Sequence, residues 1–145
     1  MSSAPLIRSD TLSMVTVMCR TIPEALSFYV GVLCFNIRCD EEPPNLTEFT
    51  PMCSLRFIEA KSQRDRAAVG NQAGDHTFVQ VETDDWDTVY EKAKTMGIKI
   101  LDKEPREEED YRAVTLVDPF GNRVNLIEKT TITIGKVFSK DVGFR

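Results

Sequence analysis

Met14-Val15-Thr16-Val17-Met18-Cys19, followed at once by Arg20 and then Thr21-Ile22-Pro23-Glu24, is the stretch that decides the fold. The first six residues are apolar or β-branched, the composition of a buried strand. Thr21 and Glu24 stand at capping-box spacing and Pro23 suits a first helical turn, so a helix opens directly after the strand. Ile22, Ala25, Leu26, Tyr29 and Val30 then recur at helical spacing, which predicts a helix to about Leu33. Strand-like Phe35 to Cys39 follows. Asp40 to Asn45 holds Pro43-Pro44 and reads as a loop, Leu46 to Thr50 as a short strand, and Cys53 to Ala60 as a clearer one.

The same order returns further along. His76 to Glu82 (HTFVQVE) reads as a strand, and Thr83, Asp84 and Asp85 offer caps for a second helix. Trp86, Val89, Tyr90, Ala93 and Met96 make its apolar stripe, and Gly97 is its expected stop. Ile98 to Leu101 reads as a strand and Lys103 to Asp110 as a charged loop. Tyr111 to Val117, the turn Asp118-Pro119-Phe120-Gly121-Asn122 and Arg123 to Glu128 then read as strand, turn, strand. Laying Met14 on His76 also lays Val17 on Val79 and Thr21 on Thr83. A second displacement lays Leu55 to Glu59 on Val124 to Glu128. A β-α-β-β-β unit therefore occurs twice. Neither copy buries its helix stripe alone, so an α+β fold of two βαβββ modules is predicted. The first module is expected over about 12–60, a polar connection over 61–75, the second module over 76–129 and a C-terminal extension over 130–145, all within a single domain of 145 residues.

The bulk numbers narrow the function. Eighteen Lys and Arg stand against 23 Asp and Glu, a net charge of −5. That balance argues against nucleic acid, which needs a basic stripe, and tolerates a neutral or cationic small molecule. No apolar run is long enough for a membrane span, and Met1 to Asp10 has no apolar signal-peptide core. A cytoplasmic location is therefore expected, with Cys19, Cys34, Cys39 and Cys53 as reduced thiols. They include no C-x-x-C pair, so they do not suggest a zinc site.

Three pieces resemble the vicinal oxygen chelate superfamily, which includes glyoxalase I, extradiol dioxygenases and bleomycin-resistance proteins. They are Val15-Thr16-Val17 through Phe28-Tyr29; His76 through Val81 with Asp84-Asp85; and Val117-Asp118-Pro119-Phe120-Gly121-Asn122-Arg123. The resemblance implies a cupped mixed sheet and pairing as a homodimer. Metal-using members place four ligands in the cup, one each from the first, fourth, fifth and eighth strands. Carried onto this chain, those places are Met14, Arg56, His76 and Asn125, and of these only His76 is a usual ligand. Thr16, Ile58, Phe78 and Ile127, on the same presumed face, do not complete the set. A catalytic metal needs about three protein ligands and an open position, and an arginine repels a divalent cation. No cofactor is therefore expected.

The candidate ligand-binding cup is Met14, Thr16, Arg56, His76, Phe78, Asn125 and Ile127. His76 is either a strand histidine bonded to a neighbour or a ligand-contacting, proton-transferring group, and is the candidate catalytic residue. Arg56 either lies at a wet edge or grips a carboxylate or phosphate with two hydrogen bonds. Asn125 either orients a polar ligand or closes a side-chain network. Met14, Met18, Phe78 and Ile127 either wall a pocket or fill it. Glu107-Glu108-Glu109-Asp110 reads as a solvated loop, or as an attractor of cationic drugs. These readings predict a bleomycin-resistance-like protein that binds a small molecule without a metal. The alternative is a metal-dependent lyase, isomerase or dioxygenase using His76, with a divalent metal as cofactor. A dimeric scaffold with a filled cup is the third reading.

Overall fold

A computed structural model describes residues 14–38, 44–50 and 53–129. Cys39, most of the Asp40 to Asn45 loop, and the extension with Thr131-Ile132-Thr133-Ile134 lie outside the described residues. The chain forms two compact units. One takes in residues up to Gly74 with Pro119–Gly121, the other Asp75–Asp118 and the residues from Asn122 onward.

In the first unit the order is β1 (Met14–Cys19), α1 (Ile22–Tyr29), β2 (Asn36–Ile37), β3 (Leu46–Thr50) and β4 (Cys53–Glu59). Its sheet runs β1-β4-β3-β2, with β1 parallel to β4 and the other pairs antiparallel. Thr21 caps α1 by accepting from the Glu24 N–H at 3.3 Å. The helix ends at Tyr29 rather than at Leu33. Beyond it, the Gly31 N–H goes to Leu26 O and the Leu33 N–H to Phe28 O, one residue further back than an α-helix allows. The chain then reverses through Cys34 at φ 63°. Phe28, Tyr29, Val17, Leu55 and Phe57 are fully buried, and Tyr29 meets Phe57 ring to ring at 5.4 Å. Each such side chain contributes roughly 1.5–3 kcal/mol. Phe57 thereby marks the helix-covered face of the sheet.

The polar connection is not all loop. Gln63–Ala68 forms α2, capped by Ser62, whose hydroxyl accepts from the Asp65 N–H at 3.0 Å. No residue of α2 is buried, so the sequence carries no apolar stripe to announce it. Gly70 sits at φ +70° with its backbone against the Phe120 carbonyl, where a Cβ would come within 1.8 Å. Past the helix, Gln72 reaches the outer edge of β1. Its Oε1 accepts from the Met18 N–H at 2.7 Å and its Nε2 donates to Thr16 O at 2.9 Å.

The second unit repeats the plan with β5 (Thr77–Glu82), α3 (Trp86–Thr95), β6 (Arg106–Glu107), β7 (Tyr111–Val117) and β8 (Arg123–Lys129), in sheet order β5-β8-β7-β6. Trp86 is buried beneath the sheet and its Nε1–H donates to Leu126 O at 3.0 Å. The Arg112 guanidinium lies over the Trp86 ring at 4.2 Å, so Arg112, Val114 and Leu116 mark the helix-covered face of β7. Burial pulls the Arg112 pKa down, and its bonds to Glu128 and Asp87 outweigh this and hold it up. In the β7–β8 turn, the Asp118 carboxylate accepts both the Asn122 N–H (2.9 Å) and the Asn122 Nδ2–H (2.8 Å).

One strand falls elsewhere than expected. Ile98 to Leu101 is not a strand; it contributes a single bridge, Ile100 to Leu116. The strand that pairs with β7 is β6, inside the segment read as a charged loop. The reason lies at Asp102, whose carboxylate takes the Thr115 N–H at 2.6 Å. With that donor taken, the ladder breaks after Leu101 and resumes at Arg106, opposite Ala113.

Candidate functional site

Strand register assigns each unit a face turned away from its helix. In the first unit, Thr16 stands opposite Arg56 and Arg56 opposite Leu46, with Met14 opposite Ser54 and Met18 opposite Ile58. None of these shares the face of Phe57. Met14 and Ile58 are 45% and 39% exposed, unusual for large apolar side chains. Between them stands half-buried Arg56, whose Nε–H points to the Met14 sulfur at 3.1 Å. A thioether is a weak, neutral acceptor. Glu48, opposite Ser54 on this face, makes no ion pair with Arg56. Two open depressions of about 450 and 390 Å³ also occur in this unit, the larger beside Arg20, Ala60, Arg66 and Val69, the smaller beside Ile22, Phe57 and Glu59. The lining of neither includes Met14 or Arg56. Arg20 bonds Glu24 and Pro119 O and holds the Glu24 carboxyl below the usual carboxylate range.

In the second unit the equivalent face carries a connected polar chain. Gln80 and Thr115 both stand opposite Asn125. The Asn125 Nδ2–H donates to Gln80 Oε1 at 2.7 Å, and its Oδ1 accepts from Arg106 Nη2 at 2.8 Å. Arg106 Nη1 in turn donates to Asp102 Oδ1 and to Thr115 Oγ1. Ile127 and Ala113, opposite one another, bury the far end of this face.

The sequence profile of the Glyoxalase/Bleomycin resistance protein/Dioxygenase superfamily matches residues 11–126. The chain belongs to this superfamily. An uncharacterized protein of Shewanella frigidimarina is 31% identical over an alignment of 114 residues, with 72% of this chain and 83% of that one covered. Among solved structures, a glyoxalase family protein from Bacillus anthracis superposes with a TM-score of 0.64 at 16% identity, covering 88% of this chain and 99% of its own. TnmS3, an antibiotic binding protein from Streptomyces sp. CB03234, gives 0.64 at 18% identity, covering 87% and 99%. At these identities the two structures share the fold.

The resemblance puts the superfamily's four metal-ligand places at Met14, Arg56, His76 and Asn125. Met14 gives its sulfur to Arg56. Asn125 has its oxygen bonded by a guanidinium and its amide nitrogen donating to Gln80. His76 does not lie in β5; it is exposed in the bend before it. Among the described residues no three His, Cys, Asp or Glu side chains lie together in a way that would hold a metal ion. This donor set does not fit a metal.

The expected pairing of positions also shifts. Between Thr77 and Val79 the β5–β8 register slips, so Phe78 occupies a bulge and Gln80 takes the place opposite Asn125. The helix N-caps agree, because the counterpart of Thr21 is Asp85, not Thr83. The true displacement between modules is thus two residues longer than the one read from the strands, which keeps the face and changes the residue. Arg106, Asp102, Thr115 and Gln80 were missed by sequence reasoning. Aligning the caps instead of the strands would have found Gln80. Arg106 is hidden in a charged run with nothing local to single it out.

Proposed function

We propose that this chain binds a small molecule on the helix-free faces of its sheets without a catalytic metal, as bleomycin-resistance-like members of the superfamily do. The carrying observation is Asn125. At a place where metal-using members supply a ligand, its oxygen is bonded by Arg106 and its nitrogen is spent on Gln80. A site arranged this way presents fixed hydrogen-bonding groups next to apolar wall, the composition of small-molecule sites. The kinship in fold with an antibiotic binding protein supports the same reading. Homodimer formation and a cytoplasmic location belong to this proposal. No described helix is long and apolar enough to cross a membrane.

Thermal-shift screening in the presence of a chelator tests it, since a ligand that binds only the native state raises the melting temperature. At least one class among aromatic, cationic and carboxylate compounds is expected to raise it. A flat response across all three contradicts the proposal. The alternative, a metal-dependent lyase, isomerase or dioxygenase, has one observation in its favour: the His76 imidazole is exposed and takes part in none of the described hydrogen bonds or ion pairs.

A further inference from the structure

The arginines of known pairing fall into a pattern. Arg20 bonds Glu24, Arg106 bonds Asp102, and Arg112 bonds both Asp87 and Glu128. Arg123 donates to the Asp75 carbonyl at 2.6 Å. Among the described residues Arg56 bonds only the Met14 sulfur, through Nε. Its two Nη groups have no partner among the described residues. A half-buried guanidinium without a counter-charge is costly, and nothing in the strand ladder requires one at this position.

The surroundings say what would satisfy it. Arg56 stands between exposed Met14 and Ile58 on one sheet face, beside Leu46 and Thr16. With Nε turned to the thioether, the outer edge formed by the Nη pair remains as a flat fork. That fork matches two oxygens of a planar anion. One guanidinium supplies one charge, so a monoanion is neutralised where a phosphate dianion is not. The apolar neighbours add contact for a hydrocarbon or aromatic body. We infer that Arg56 anchors the carboxylate of a small amphipathic ligand, with Met14 and Ile58 packing against its apolar part. This rests on the small-molecule reading above and gives it a ligand class. It also departs from what the net charge of −5 suggests. Distant surface charges are screened within about 8–10 Å in physiological salt, so the local guanidinium decides.

The test uses the full chain with ¹³C-methyl methionine. The five methionines give few signals, and Met14→Leu assigns the one beside Arg56. Three probes of matched body are titrated: naphthylacetate, naphthylacetamide and naphthylmethylammonium. The carboxylate is expected to move the Met14 methyl and to bind about tenfold or more tightly than the amide, the scale of a hydrogen-bonded charge pair. Arg56→Gln is expected to erase that preference while the remaining methyl signals report an intact fold. Arg56→Lys, which keeps the charge and loses the fork, is expected to retain part of it. Equal binding of acid and amide, tighter binding of the ammonium, or a preference that survives Arg56→Gln would each overturn the anchor and leave the small-molecule reading standing. Silence from all three probes would overturn the anchor too, and the broader thermal-shift screen then judges the small-molecule reading by itself.

Discussion

Arg106 donates from Nη2 to the side-chain oxygen of Asn125 at 2.8 Å, across a break in the sheet that Asp102 creates. The relationship ties the candidate face to the fold itself. The same carboxylate that takes the Thr115 N–H and interrupts the ladder after Leu101 also holds the guanidinium that engages Asn125.

Asp102 therefore carries more than an ion pair. Asp102→Ala removes the charged partner of Arg106 and leaves the Thr115 N–H unsatisfied. Hydrogen bonds to charged groups contribute about 1.5–3 kcal/mol, and the side chain is only 16% exposed. A loss of roughly 2–3 kcal/mol is expected on that scale, measured by denaturant unfolding. Asp102→Asn, which keeps an acceptor, is expected to lose less. Equal stability of Asp102→Ala and the parent chain would refute this role.

Gln72 stands in for a neighbouring strand at the edge of β1. Gln72→Ala should cost about 1 kcal/mol for two exchanged hydrogen bonds. Amide hydrogen exchange reads it locally: the Met18 N–H is expected to exchange faster, while the amide of Trp86, in the other unit, keeps its rate. Unchanged exchange at Met18 would show that the bond is not formed in solution.

Thr47 is fully buried and its hydroxyl has no partner among the described residues. Burying an unsatisfied hydroxyl costs free energy, and valine has the same shape and suits a strand. Thr47→Val is expected to raise the melting temperature by a few degrees, corresponding to roughly 1 kcal/mol. A lowered melting temperature would mean that the hydroxyl has a partner.

The thiols should differ in reactivity. Cys34 is exposed, whereas Cys53 is buried and its burial pushes the thiol pKa up. A raised pKa favours the thiol, so at any given pH Cys53 carries less of the reactive thiolate than an ordinary cysteine does. Iodoacetamide is expected to label Cys34 before Cys53. Cys53 should be labelled more slowly, gaining speed as the pH rises or the chain unfolds. Arg38 lies between Cys34 and Cys39, so tryptic peptides separate those two signals. Labelling of Cys53 at neutral pH as fast as Cys34 would contradict the burial.

What the sequence made legible follows from what side-chain patterns encode. The β1 strand was readable to the residue because burial on one side and β-branching agree there. The α1 cap was readable because Thr21 and Glu24 act locally. The α2 helix was not, since it buries nothing. The β6 strand was misplaced because a side-chain carboxylate, Asp102, replaced a backbone acceptor, and no local pattern signals that exchange. On the candidate face, Arg56 and Asn125 fell on the side expected from alternation. Gln80 was displaced by a bulge, which alternation does not foresee. Arg106 reaches Asn125 only through tertiary pairing.

The central claim is that the chain binds its ligand without a catalytic metal, with Met14 and Asn125, at two of the places used elsewhere in the superfamily for a metal, engaged instead by Arg56, Arg106 and Gln80. Elemental analysis of the purified chain, after exposure to Zn, Ni, Mn and Fe and removal of loosely held ions, addresses it most directly. The account predicts far less than one metal ion per chain, unchanged in His76→Ala. A stoichiometric metal that is lost in His76→Ala would contradict it.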